Sequence, residues 1–440
     1  MSTPGDRGRA PGANLLLVLT ATMAVGPLLT HSLSAMSPLV IEDLGLTESQ
    51  FGLLATVTFF VAAVTAVRTG RWADRLGART LLAVMFGGAV LAMLLTAAAP
   101  DYAVLLLAMV LSGLGQVMAN PATNRLIRLH VPAHRRASWL GIKQAGVQAS
   151  QLVAGLTFPA LGLLLGWRTA VAVAAGVVLL LLVHGWLTVP DNHGAGRPAA
   201  VPRRAPAAPG KSSPTRVTPS PVPVGTPGPV RRAPMPGVVR AYAAAAALTG
   251  LGAQAANVYL PLYAHRELGL DVVAAGATVS VAALLGIASR VLWARVMDRP
   301  GTDGFALLGV MALGAAASAV LLVLAPLHPA LAWGVWPAAV LHGGAALAVS
   351  VVVMSGAMRA VPTERVGAST GVVTMGLYAG FCAGPLVMGA LLQLTGSFAV
   401  GWAVVLVCYL ACGLLAVLVR RRSRRQTAHR AEARPASPGR

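Results

Sequence analysis

The stretch Gly70-Arg71-Trp72-Ala73-Asp74-Arg75-Leu76-Gly77-Ala78-Arg79 joins two apolar runs, 49–68 and 80–99. Each run is about as long as the 20 residues a helix needs to cross the hydrocarbon of a bilayer. The charged stretch between them is too short to form a domain. It reads as a very short turn between two membrane helices. Gly70 lets the helices approach closely, and Gly77 can take the positive φ that a tight turn demands. Asp74 can accept from a helix N-terminus or pair with an arginine.

Outward from this hairpin the same pattern repeats. Apolar runs fall at 14–36, 49–68, 80–99, 102–124, 138–165 and 168–189, then at 238–263, 271–293, 304–325, 330–358, 367–392 and 399–419. Between the two sets, residues 191–237 hold 12 of the 30 prolines and one acidic residue, Asp191. Such a segment cannot bury a core and is expected to be a disordered, polyproline-like linker. The expected organisation is an N-terminal tail 1–13, a six-helix bundle 14–190, the linker 191–237, a second six-helix bundle 238–419 and a basic tail 420–440. The apolar run behind Arg7 and Arg9 resembles a signal peptide, but eleven further spans favour its retention as the first helix.

Composition agrees with a membrane protein. The chain of 440 residues is 56% hydrophobic and only 11% charged, yet its formal net charge is +21. Its mean hydropathy is +0.72. A basic chain suggests nucleic acid or a membrane surface as partner, but this much apolar material leaves no soluble body to present a basic face, so nucleic acid is excluded as a partner. Three cysteines make no disulfide framework. The charge encodes topology instead. With the N-terminus cytoplasmic, 32 of the 34 Lys and Arg residues fall on the cytoplasmic side, and only Arg168 and Arg266 fall outside. Both termini are then cytoplasmic, in a multi-pass protein of the cell membrane.

The two halves echo one another. Gly286, Arg290, Trp293, Asp298 and Arg299 stand where Gly70 to Arg79 stand in the first half, and Gly166-Trp167-Arg168 is echoed by Gly401-Trp402. Internal repeats of this kind accompany transporters whose halves rock about a central site. The arrangement resembles the major facilitator superfamily of secondary transporters over the whole chain except the linker and tails. Gly70, Asp74, Arg75, Gly77 and Arg79 are similar to that superfamily's signature between helices 2 and 3. The resemblance implies an all-α integral membrane fold of twelve helices in two pseudo-symmetric six-helix bundles. It also implies that Asp74 and Arg75 help latch the outward-facing state, and that spans 1, 4, 7 and 10 line a cavity with 3, 6, 9 and 12 at the periphery.

Polar side chains within the spans follow that layout, since an unsatisfied polar group facing lipid is costly. His31 lies in span 1. Gln116, Asn120 and Asn124 lie in span 4, and Gln144, Gln148 and Gln151 in span 5. Gln254 and Asn257 lie in span 7, and His342 in span 10. Gln144, Gln148 and Gln151 are spaced i, i+4, i+7 and share one helical face. These ten residues are the candidate substrate cavity; interhelical hydrogen bonding is the alternative role for any one of them. No Asp or Glu lies deep in a span, so His31 and His342 are the candidate proton relay. Lys143 and Arg125, near helix ends, read as topological anchors, with anion attraction at the inner mouth as a lesser role. The Arg420–Arg425 cluster reads as a contact with anionic lipid.

No nucleotide-binding loop, nucleophile set or metal-spaced cluster emerges, so neither an enzyme nor a cofactor is expected. Drug–proton antiporters of the superfamily carry G-x-x-x-G-P-x-x-G-G in span 5. Span 5 here lacks the Gly before Pro159, and span 11 carries a closer match at Gly380 to Gly389. The reading is a monomeric secondary transporter exporting a small organic solute against protons. The alternatives are solute uptake and a non-transporting membrane sensor or receptor.

Overall fold

The computed structural model describes residues 13–76, 78–132, 135–188, 235–362 and 365–432. Residues 1–12 of the N-terminal tail, residues 189–234, which hold nearly all of the linker, and the last eight residues lie outside that set. So do Gly77 and the side chains of residues 69–75, which removes Asp74 and Arg75 from structural description.

Fourteen α-helices account for almost all described residues. They are α1 (Ala13–Ala35), α2 (Ser37–Leu44), α3 (Glu48–Arg75), α4 (Ala78–Ala97), α5 (Tyr102–His130), α6 (Arg136–Leu165) and α7 (Trp167–Thr188). The second half holds α8 (Gly237–Arg266), α9 (Val272–Met297), α10 (Gly304–Leu324), α11 (Val335–Gly344), α12 (Val349–Arg359), α13 (Val366–Thr395) and α14 (Phe398–Glu432). Starts are set by side-chain caps. The Asp101 carboxylate accepts from Val104 N–H, Asp271 from Val273 and Ala274, and Asp303 from Phe305 and Ala306. Among the described residues, eleven segments are long and apolar enough to cross a membrane. α8 is equally long, at 30 residues, but Gln254, Asn257 and three tyrosines dilute its apolar content.

Packing displays the internal repeat. In the first half α1 packs on α6, α3 on α5 and α4 on α7; in the second, α8 packs on α13, α9 on α11 and α10 on α14. Counting spans, these are the pairs 1–5, 2–4 and 3–6, then 7–11, 8–10 and 9–12. The halves meet chiefly along α3–α13 and α6–α9, with α1 against α8. Large apolar side chains such as Leu180, Leu187, Leu313 and Val407 are exposed on the peripheral helices α7, α10 and α14, the surface a lipid solvent requires.

Four expectations need correction. The stretch 70–79 is not mainly a turn: α3 continues to Arg75 and α4 begins at Ala78. The tail beyond 420 is helical to Glu432, because α14 carries straight on out of its apolar part. The run 330–358 is not one helix. A 3₁₀ segment at Pro329–Gly334 leads into α11, and a second at Ala346–Ala348 separates α11 from α12. Finally, the loop after α1 holds an additional short helix, α2, closed by Gly45 at φ 59°.

Candidate functional site

Twelve crossings leave both termini at one end of the bundle, here the terminal end; the opposite is the far end. About two-thirds of the way along α8, Asn257 joins four elements. Its Oδ1 accepts from Gln151 Nε2 of α6 at 3.0 Å and faces His342 Nε2 of α11 at 3.3 Å. Its Nδ2 donates to Gln254 Oε1 at 3.3 Å. Its backbone carbonyl accepts from Ser34 Oγ of α1 at 2.6 Å, and Ser34 also reaches the Val258 carbonyl at 2.8 Å. His31 Nδ1 stands 3.1 Å from Ser150 Oγ of α6, within the first half. Both histidines are buried, and among the described residues no hydrogen bond joins one to the other.

Above this hub the halves are in close contact to the far end. A Cβ on Gly52 would stand less than 3.0 Å from the Pro385 carbonyl of α13, and one on Gly155 equally close to the Gly276 carbonyl of α9. Tyr259 donates to the Glu48 carbonyl at 2.6 Å, and Arg266 pairs with the Glu48 carboxylate. Arg168, the other cation expected outside, pairs with Asp43 of α2, which also accepts from Trp167 Nε1 at 3.0 Å. Partial burial of Asp43 works to raise its pKa, but the Arg168 and Trp167 hydrogen bonds and the Arg168 charge hold it below the usual carboxylate range. The two exceptions to the charge distribution are thus neutralised where they stand.

Toward the terminal end fewer contacts between the halves occur among the described residues. The deepest named ones are Phe59 of α3 with Tyr378 and Phe381 of α13, and Gln148 of α6 beside Gly286 of α9. Among the described residues α5 and α12 make no extensive contact with one another. Here Lys143 is 1% exposed, so it is a buried group and not only a surface anchor. Its Nζ donates to Thr123 Oγ1 and Asn124 Oδ1 at 2.7 Å each and to Asn120 Oδ1 at 3.2 Å.

The break between α11 and α12 is held by α9. Interrupting a membrane helix frees carbonyls that need donors. Ser289 Oγ donates to the Gly343 carbonyl at 3.0 Å, Trp293 Nε1 to Gly344 at 2.9 Å and Arg290 Nη2 to Leu347 at 3.1 Å. Of the residues paired by sequence with the first-half signature, Gly286 and Arg290 therefore serve the contact of α9 with Leu347 in the break between α11 and α12. Asp298 caps α9 and forms an exposed ion pair with Arg359 at 3.2 Å. Arg299 follows it in the same turn, its N–H donating to the Val296 carbonyl.

Of the ten expected cavity residues, Gln151, Gln254, Asn257 and His342 are brought together, and Asn120 with Asn124 forms a separate group around Lys143. Gln148 is buried against Gly286, and Gln144 is partly exposed. Gln116 packs against Gly26, apart from both groups, its Oε1 buried without a partner. Ser34, Ser150 and Thr123 were missed, because a single hydroxyl in an apolar helix ordinarily bonds to its own backbone and carries no pattern. Among the described residues no group of three His, Cys, Asp or Glu side chains could hold a metal.

Two pseudo-symmetric bundles meeting at a polar hub, with a broken helix beside it, define a multi-pass membrane transporter. The family model of the Major Facilitator Superfamily matches residues 15–380, and the chain belongs to that superfamily. The chain is similar in fold to a bacterial homolog of the human lysosomal transporter Spinster in an inward-facing and occupied conformation. The TM-score is 0.70 at 18% identity, covering 94% of this chain and 98% of that one. It is also similar to the nucleoside transporter NupG, with TM-score 0.67 and 13% identity over 92% and 98% of the two chains. In sequence it is 28% identical over 168 residues to a probable sulfoacetate transporter, SauU, of Cupriavidus necator, covering 37% of this chain and 38% of that protein. It is 25% identical over 156 residues to a gallate transporter of Pseudomonas putida, covering 36% and 35%. The matches thus span little more than a third of those relatives' length.

Proposed function

We propose that this transporter exports a small organic solute across the cytoplasmic membrane in exchange for protons, by alternating access, with both termini in the cytoplasm. The observation that carries the reading is the one-sided contact between the halves, tight from Asn257 to the far end and, among the described residues, sparse toward the termini. With the termini cytoplasmic, as the placement of 32 of 34 cations favours, the conformation described is open to the inside. Solute entering from the cytoplasm meets the Asn257 hub, and release outward requires that hub and the Glu48–Arg266 pair to part. His31 and His342, on either side of the Gln151–Asn257 contact, are the proton carriers. Asp74 and Arg75 of the signature act at the terminal end, steadying the outward-facing state.

The protein works as a monomer, its basic α14 extension resting on anionic lipid. The solutes named for the two partial relatives, sulfoacetate and gallate, are consistent with a small organic substrate.

The test is transport in proteoliposomes with and without a pH gradient. We expect uptake into inside-out vesicles driven by an acidic interior, with altered pH dependence in His31→Ala and His342→Ala. Normal transport and an unchanged pH profile in both variants would end the relay. Counterflow separates a transporter from a sensor, which binds solute without moving it.

A further inference from the structure

Among the described residues, two cations, Lys143 and Arg290, lie inside the helical bundle without a carboxylate beside them. Lys143 donates its three N–H bonds to neutral oxygens, and Arg290 makes one bond to a backbone carbonyl while its Nε is buried without a partner. An uncompensated cation in a low-dielectric interior is expensive to keep, and no Asp or Glu lies deep in any span. Burial disfavours the charged form of both, and a counter-charge bound from outside the protein would offset that cost.

Geometry places both cations toward the space between the halves. On α5, Gln116 and Thr123 meet α1, Gly113 meets α3, and Gly115 on the opposite side meets α4. Asn120 falls on the arc between the α1 and α3 contacts, which faces the second half, and Asn124 lies just past its α3 edge, one turn nearer the terminal end. On α9, Gly276 and Ser280 meet α6, and Ser289 meets α11. Arg290 falls on the arc between those contacts. Gln148 and Gly286 touch across the halves. Lys143 is five residues from Gln148 and Arg290 four from Gly286, both in the terminal direction. At 1.5 Å per residue these are about 7 and 6 Å, so the cations sit at the same depth on opposite walls.

Lys143 also sets the hydrogen-bond sense of its neighbours. Both asparagines turn Oδ1 to the ammonium, which leaves their Nδ2 groups directed away from it as donors. Asn120 is partly exposed and Asn124 exposed, while Lys143 itself is covered. The result is a wall of amide N–H donors with a positive charge behind it, and Arg290 stands at a similar depth on the second half. That arrangement suits an oxyanion.

We propose that Asn120 and Asn124, backed by Lys143 and with Arg290 at a similar depth on the second half, bind the carboxylate or sulfonate group of a small organic anion, and that this anion is the transported solute. The proposal rests on the transporter reading and adds the charge of the substrate. Because each half supplies one cation, a bound anion draws the terminal end together, the step that precedes opening at the far end.

The experiment is thermal unfolding of the purified full-length protein with benzoate, gallate, succinate and ethanesulfonate, against benzamide and succinamide as neutral counterparts and choline as a cation. Ligand binding to the folded state raises the midpoint by mass action. At least one anion is expected to stabilise the wild type where its neutral counterpart does not. Lys143→Met is expected to weaken that anion by about tenfold or more, with recovery in Lys143→Arg. Met replaces the buried ion with an apolar group of similar length, which folded proteins tolerate. Asn124→Leu, at an exposed position, gives a second variant whose folding is not in question and is expected to weaken the anion too. Equal anion binding by wild type and Lys143→Met overturns the proposal, as does stabilisation by amides or choline alone or by no anion at all. Transport of a neutral or cationic solute by wild type and Lys143→Met alike would refute the anion site and leave the transporter standing. An anion that binds through Lys143 but shows no counterflow would do the reverse.

Discussion

At the far end, glycines at 52 and 155 let backbones of the two halves touch, Ser34 and Tyr259 bond to carbonyls across the seam, and the charges occur as Arg–carboxylate pairs. At the terminal end the halves share few described contacts, and the charges there include Lys143 and Arg290 without acids beside them. At the far end the halves are in close contact, and both of its arginines are paired with a carboxylate. Among the described residues the terminal end has fewer contacts and two cations without an acid, and on the reading proposed above a transport cycle brings it an anion and a closing contact.

The sharpest way to break this contrast is at the hub. Asn257→Leu leaves Gln151, Gln254 and His342 without their shared partner, and each buried polar group so orphaned costs about 1–3 kcal/mol. Transport is expected to fall by well over tenfold, read as initial rate in proteoliposomes. Prying the seam apart comes next. Gly52→Val places a side chain against the Pro385 carbonyl, an overpacking cost of roughly 1–3 kcal/mol. With Cys382, Cys408 and Cys412 replaced by alanine, a cysteine at Ser34 is expected to react with a far-side thiol reagent faster in Gly52→Val than without it. The Glu48–Arg266 pair is partly exposed, so its coupling is about 1 kcal/mol or less. A double-mutant cycle of Glu48→Gln and Arg266→Gln on transport rate is expected to show an effect of a few-fold at most.

The smallest effect lies at Asp43. Its pKa is depressed in the folded protein, so its stabilising contribution is present above the ordinary carboxylate range. It is lost as pH falls through the lowered value, below about pH 4. Thermal midpoints of wild type and Asp43→Asn are expected to converge on acidification through that window and to stay apart at neutral pH.

Much of the architecture was legible in the sequence, because a bilayer imposes one length and one polarity on every span. What was not legible has local causes. The break at Ala346–Ala348 lies in His342-Gly343-Gly344-Ala345-Ala346-Leu347, which contains no proline. Its stability comes from donors on α9, about 55 residues earlier, a tertiary cause that no local pattern records. Lys143 read as an anchor because the apolar runs end near it. α5, however, continues to His130 and α6 begins at Arg136, which carries the lysine two turns inside. One signal was available: lysine occurs only at 143 and 211, in a chain that otherwise uses arginine for its cations. The hub was half visible, its amides through their spacing and its serines not at all.

α8 carries a consequence for biogenesis. It opens the second half, yet it is the long helix least able to enter lipid alone, and the element it packs on most extensively, α13, is synthesised about a hundred residues later. Its polar residues turn toward α1, α6 and α11, two of which are finished before the linker emerges from the ribosome. The first bundle is then a template that receives α8 during translation, and the long linker gives that docking its slack. Chains truncated after residue 300, scored for α8 insertion by glycosylation mapping, are expected to integrate α8 with the first bundle present and to lose integration when residues 14–190 are deleted.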